Sequence, residues 1–134
     1  MKQKAKSEMK SNPRYQWRGE LSRGKALGVL ARSRLHVLSS RVEGGANALC
    51  EAIACGVPTL ASRIPGSVGI LGPDYPGYFP FGDTRALARL LWRAETDADF
   101  WGRLRAACER MQPLVAPARE REAWRRLLEE YRSQ

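Results

Sequence analysis

The chain has 134 residues, with 23 lysines and arginines against 14 acidic residues, a net charge of +9 and an isoelectric point near 10.1. That length suits one domain with a modest core. No apolar run approaches the roughly 20 residues of a membrane span, so no membrane partner is expected. Arginine supplies most of the charge and is scattered over the predicted helices other than that of Ala46 to Cys55, which favours a basic enzyme over a nucleic-acid-binding module. No helix-turn-helix, zinc knuckle or aromatic nucleic-acid motif accompanies it, so nucleic acid is not the expected partner.

Residues 1–12 are polar and lysine-rich with no apolar core, which excludes a signal peptide and predicts a disordered basic leader. Arg14 to Arg18 alternates Tyr15 and Trp17 on one face and reads as a strand closed by Gly19. Ser22 is placed to cap a helix running to about Ser33, with Ala26, Leu27, Leu30 and Ala31 on its sheet-facing side. Leu35 to Leu38 is the next strand. His36 is the single histidine. It falls mid-strand, away from the strand's carboxyl end, and reads as a packing residue rather than a catalytic one.

The run Ser39 to Ser62 organises the rest. Gly44-Gly45 allows a sharp turn after the strand. An alanine-rich helix follows from about Ala46 to Cys55, Gly56 is placed for a left-handed helix stop, and Pro58 forbids continuation. Val57 to Ala61 is a second buried strand, parallel to the first with the helix as crossover. Glu43 stands before the helix and Glu51 within it, with seven residues between them. At a helical rise, their backbones are at most about 12 Å apart, too far for a proton-sharing pair but suited to gripping two ends of an extended polar ligand. Free amides at the helix N-terminus would face phosphates, and open α/β sheets bind ligands at the carboxyl ends of their strands.

Ser62 to Gly69 reads as a loop carrying Arg63 and Pro65-Gly66, which puts Arg63 at the ligand-facing edge, where it would pair with an anion or remain solvated. Leu71 to Phe81 is dense in glycine, proline and tyrosine, a loop with a brief strand at Tyr78-Phe79. Asp83 caps a helix from Thr84 to about Ala94 with Leu87, Leu90 and Leu91 on its apolar stripe. Asp97 or Asp99 starts the next, to about Met111, with Pro113 as its break. Pro117 begins the last, to about Tyr131, burying Trp124, Leu127, Leu128 and Tyr131. Cys50, Cys55 and Cys108 are odd in number and lack metal spacing, which suits a reduced, cytoplasmic setting and no metal.

Glu43-Gly44 through Glu51-Ala52, followed by Ala54-Cys55-Gly56-Val57-Pro58, resembles the Glu-x7-Glu signature of retaining GT-B glycosyltransferases of family four. The resemblance implies an α/β fold: a partial Rossmann-like C-terminal lobe over residues 13–134, with a parallel sheet flanked by helices. It also implies that Glu43 touches the donor sugar and is the catalytic-site residue. Glu51 would hold the nucleotide ribose, and Gly44, Gly45 and Ala46 would bring backbone close to sugar and phosphates. Arg41-Val42-Glu43-Gly44-Gly45-Ala46-Asn47, Ser62 to Gly69 and Asp74 to Pro80 further resemble selenosugar synthases, which implies a UDP-sugar donor and selenophosphate as acceptor, near Arg63 and Gly66. Pro65-Gly66 and Gly69 stand where most of family four carries Gly-Gly and an acid. The family's first lobe strand and phosphate loop have no counterpart before Pro13. The chain is therefore expected to be incomplete at that side and to lack the N-terminal lobe that turnover requires, and Met1 need not be a natural start. A non-catalytic fragment is the alternative, and a basic nucleic-acid module the other.

Overall fold

A computed structural model describes residues 2–41, 46–115 and 118–133. In chain order the elements are α1 (Lys2–Ser11), α2 (Arg23–Arg32), β1 (His36–Leu38), α3 (Ala46–Ala54), β2 (Thr59–Ser62), α4 (Pro65–Leu71), β3 (Tyr78–Phe79), α5 (Thr84–Thr96), α6 (Ala98–Val115) and α7 (Ala118–Arg132). The three strands form one parallel sheet in the order β1-β2-β3. Helices flank it, as the sequence leads one to expect of a partial Rossmann-like unit.

Strand β2 is central, and all four of its residues are buried, as both faces of a parallel strand require. Leu49 and Ile53 of α3, Leu60 of β2 and Phe100 and Leu104 of α6 are closed to solvent and make the centre of the core. Full burial of each such side chain is worth about 1.5–3 kcal/mol. The two polar groups of β2 are satisfied. Thr59 Oγ1 lies 3.2 Å from His36 Nδ1, and Ser62 Oγ donates to the Ser40 carbonyl at 2.6 Å. A smaller cluster joins Ala31 of α2, Cys55 and Val57 of the α3–β2 turn, and Leu128 of α7. The apolar side of α2 thus meets α7 and this turn rather than the sheet face expected for it.

Capping follows the sequence closely. Ser22 Oγ accepts from Lys25 N and opens α2; Asp83 Oδ1 accepts from Ala86 N and opens α5. Asp97, not Asp99, caps α6, its Oδ1 accepting from Phe100 N at 3.1 Å. Gly56 closes α3 with φ +73°, the left-handed stop that its place in the sequence predicts.

Four more expectations are corrected. Residues Lys2–Ser11 are helical, not a disordered leader: alanine, lysine, glutamine, glutamate and methionine are all strong helix formers. Arg14 to Arg18 forms no strand, since its side chains lie against solvent, apart from a half-buried Trp17, and no strand pairs with it among the described residues. Pro65–Leu71 is a helix rather than loop: Pro65 sits at its first turn, where the missing N–H costs nothing, and Ser67 and Leu71, four apart, are its buried side. Pro113 does not break α6, which continues to Val115. Met111 and Val115 pack against the core on either side of it, offsetting a cost of about 3 kcal/mol. The side chain of Trp124 and all of Pro117 lie outside the described residues.

Candidate functional site

Because the strands are parallel, their carboxyl ends share one edge. Leu38 of β1 pairs with Ala61 of β2, and Ser62 of β2 with Phe79 of β3. One residue past Ser40 the chain presents Arg41, past Ser62 it presents Arg63, and two residues past β3 it presents Phe81, all exposed. The Ser62 Oγ–Ser40 carbonyl bond ties the first two ends together, and Arg63 N donates to the Phe79 carbonyl at 2.9 Å, tying the third. Arg41 holds its guanidinium 6.0 Å from the centre of the Phe81 ring, and Arg63 holds its own 5.2 Å from Tyr78. Arg63 Nη1 also donates to the Pro73 carbonyl at 3.1 Å. Burial pushes the Tyr78 hydroxyl up to about 12 despite the Arg63 charge beside it, so Tyr78 stays a neutral donor, to the Gly72 carbonyl at 2.7 Å.

Glu51 lies in the second turn of α3, on the side that faces α2. Its side chain is 30% exposed, and its Oε1 stands 3.4 Å from Arg23 Nη2. The two line a cavity of about 340 Å³ with Leu27, Leu30, His36 and Ala48. Burial lowers the His36 pKa, so this wall is an uncharged imidazole at neutral pH. The arrangement is a small, mostly apolar recess with one carboxylate in its lining, ion-paired to Arg23. A carboxylate of this kind accepts hydrogen bonds from a pair of hydroxyls. A roomier cavity of about 490 Å³ opens between Arg34, Leu91 and Trp101, but it holds none of the motif residues.

Of the residues singled out from sequence, Glu43, Gly44 and Gly45 lie outside the described residues. Ala46 begins α3, and its side chain is outside them too. Glu51 borders the recess, Arg63 the strand edge, and Gly66 the first turn of α4. Glu51 and Arg63 face different neighbours, α2 in one case and the α4–β3 connection in the other. Sequence reasoning did not single out Arg23, Arg41 or Phe81 as site residues. Arg41 adjoins the motif itself, whereas Arg23 is brought to Glu51 only by the packing of α2 on α3. Among the described residues no three His, Cys, Asp or Glu side chains cluster as a metal site needs, and no described helix is long and apolar enough to cross a membrane.

The family model of glycosyl transferases, group 1, matches residues 2–111. The chain belongs to that family. The match spans all three strands, the Glu51 helix and the greater part of α6. A comparison with curated proteins gives no match. As a group 1 glycosyl transferase domain, the chain is of a type that takes a nucleotide-sugar donor.

Proposed function

We infer that this glycosyl transferase domain is the donor-binding lobe of a retaining GT-B enzyme that uses a UDP-sugar, with selenophosphate as the acceptor. The observation that carries the reading is the Glu51 helix. It connects β1 and β2 of a parallel sheet, inside the family match, and its Glu51 lines a recess beside Arg23. Glu51 would accept hydrogen bonds from the two ribose hydroxyls. Glu43 would hold sugar hydroxyls, and the backbone of Gly44, Gly45 and Ala46 would come close to sugar and diphosphate, where an alanine-rich helix start admits a ligand. In the reaction, the bond between the anomeric carbon and the UDP oxygen breaks, UDP leaves with that electron pair, and selenium bonds to the anomeric carbon on the face UDP left. Sugar positioning by Glu43 acts mainly in the transition state. Arg63 and the backbone at Gly66 would receive the anionic acceptor. No metal is needed in this scheme, because fixed amide and guanidinium charges can stabilise the departing diphosphate. A partner N-terminal lobe would close the acceptor side, and a cytoplasmic setting fits the reduced thiols.

Thermal-shift titration of the chain with UDP-, GDP-, ADP- and dTDP-sugars tests the donor class. A rise in melting temperature confined to UDP and UDP-sugars is expected. Stabilisation by another nucleotide sugar alone would overturn the donor assignment, and stabilisation by none would overturn the reading of this lobe as a donor site.

A further inference from the structure

Helix α2 has two working sides. Arg23, Ala26, Leu27 and Leu30 look onto the Glu51 recess. Gly24, Lys25, Gly28 and Arg32, at the three- and four-residue steps of the opposite face, bound a second cavity of about 350 Å³ between α2 and α7, and the two cavities share no residue. Its far wall is Tyr131 of α7, a helix that lies beyond the residues 2–111 of the family match.

Gly24 and Gly28 make the floor, because only bare backbone lets the Tyr131 ring lie so close. A Cβ at Gly24 would collide with the Tyr131 hydroxyl, and one at Gly28 would stand 3.7 Å from Tyr131 Cβ and 3.6 Å from Arg32 Nη1. The Arg32 guanidinium is thus beside the same floor, and its Nη1 donates to the Tyr131 carbonyl at 3.3 Å. That bond uses one of its five N–H donors. Arg18 and Lys25 add positive charge to the lining, and Leu21 and Val29 add apolar surface. Among the described residues neither the Arg18 nor the Lys25 side chain has a partner, and no acidic side chain lines this cavity. The cleft between α6 and α7 supplies the contrast: its Arg105, Arg125 and Arg132 are offset within the same lining by Glu109 and Glu129. Here the like charges are left without an internal counter-charge, and an anion is what relieves their repulsion.

We propose that the cavity between α2 and α7 is a binding site for a small organic anion, distinct from the Glu51 recess. The anionic head meets Arg18, Lys25 and Arg32, and an apolar or planar body lies on the glycine floor beside the Tyr131 ring. The volume is at the lower end of small-molecule sites, which begin near about 300 Å³. An inorganic anion would leave the apolar floor bare, and an uncharged ligand would leave the cations unanswered. The head group has two sources of the same chemistry, a carboxylate or a phosphate monoester. The occupant shares a wall with the recess, since Arg23 of the same helix pairs with Glu51, but the site does not depend on what that recess takes.

The test is an NMR titration of the isotope-labelled chain with phenyl phosphate, benzoate and inorganic phosphate at fixed ionic strength. Saturable shifts of the Gly24, Lys25, Gly28 and Arg32 amides are expected with one or both organic anions, and the tighter of the two names the head group. Arg32→Gln also removes the bond to Tyr131, so the deciding variant is the double substitution Arg18→Gln, Lys25→Gln, at two exposed positions where wild-type melting temperature should be kept. It should weaken the organic anion by about tenfold or more, as loss of charge-assisted contacts does. Inorganic phosphate should bind at least about tenfold more weakly than the tighter organic anion, because it covers none of the apolar floor. Shifts that do not saturate, or that scatter over the arginines of every helix, would reduce the effect to net charge and overturn the proposal. So would an affinity unchanged in the double variant, or inorganic phosphate binding as tightly as the organic anions. Shifts centred on α3 would put the anion in the Glu51 recess and overturn it too, while leaving the nucleotide reading of that recess standing.

Discussion

Gly77 decides how closely β3 sits against β2, and replacing it by alanine should be costly. A Cβ there would come within 2.7 Å of Tyr75 Cε2, 2.8 Å of Leu104 Cδ2 and 2.9 Å of the Thr59 carbonyl oxygen. None of these is a free-swinging tip. Leu104 is fully buried, Tyr75 is 6% exposed and donates its hydroxyl to the same Thr59 carbonyl, and that carbonyl belongs to the central strand. Relief must therefore come from moving β3 or α6 outward. Overpacking of this kind costs about 1–3 kcal/mol. For a domain of this size that is a drop in melting temperature of roughly 5–10 °C. The Gly77 carbonyl also accepts from Ala61 N at 2.9 Å, so the same movement loosens the β2–β3 ladder and the edge beyond it. Gly102 supplies the contrast: it is inside α6 with nothing within 4 Å of a built Cβ. Gly102→Ala should stabilise by about 0.5–1 kcal/mol through helix propensity alone. Urea and thermal melts of both variants check the pair. A Gly77→Ala protein as stable as wild type would refute the packing argument.

Two further outcomes are expected. His36 holds its proton less tightly in the folded chain than in the unfolded one, because burial lowers its pKa. Protonation therefore favours the unfolded chain, and the stability present near pH 7.5 should be lost as pH falls through about 6.5 towards the lower folded value. Melts of wild type and His36→Gln between about pH 7.5 and 5.5 measure it, and an equal decline in both would count against it. Burial pushes the Cys55 thiol up to about 11, with Arg132 opposing and Glu51 adding, and burial likewise raises Cys108; Cys50 is only partly buried. Iodoacetamide at about pH 8 should label Cys50 first and reach the other two only on unfolding, whereas Cys55 reacting as fast as Cys50 would contradict the burial.

The central run of the chain was legible because each local signal agreed with the next: apolar strand, alanine helix, a glycine at positive φ, a proline and a second apolar strand. Asp83 and Ser22 were legible for the same reason, since a cap acts within a few residues of its own position. The errors came where tertiary packing decides. Pro113 is a breaker by propensity, yet Met111 and Val115 hold its helix against the core. Pro65–Leu71 looked like loop because Gly66 and Gly69 are poor helix formers, although Pro65 at the first turn was a signal in the other direction. Arg14 to Arg18 has the alternation of a strand, but alternation cannot supply a neighbouring strand. At the site, Arg41 was within sight of the motif, while Arg23 reaches Glu51 only through the contact of α2 with α3, which no spacing rule reveals.

The most direct test of a nucleotide site built on the Glu51 helix is calorimetric titration of UDP into the wild-type chain and Glu51→Ala. Wild type should bind, and the variant should bind at least about tenfold more weakly, as expected when a carboxylate that accepts from hydroxyls is removed. UDP binding unchanged in Glu51→Ala, or a folded wild-type chain that binds no UDP while duplex DNA binds with steep salt dependence, would contradict it.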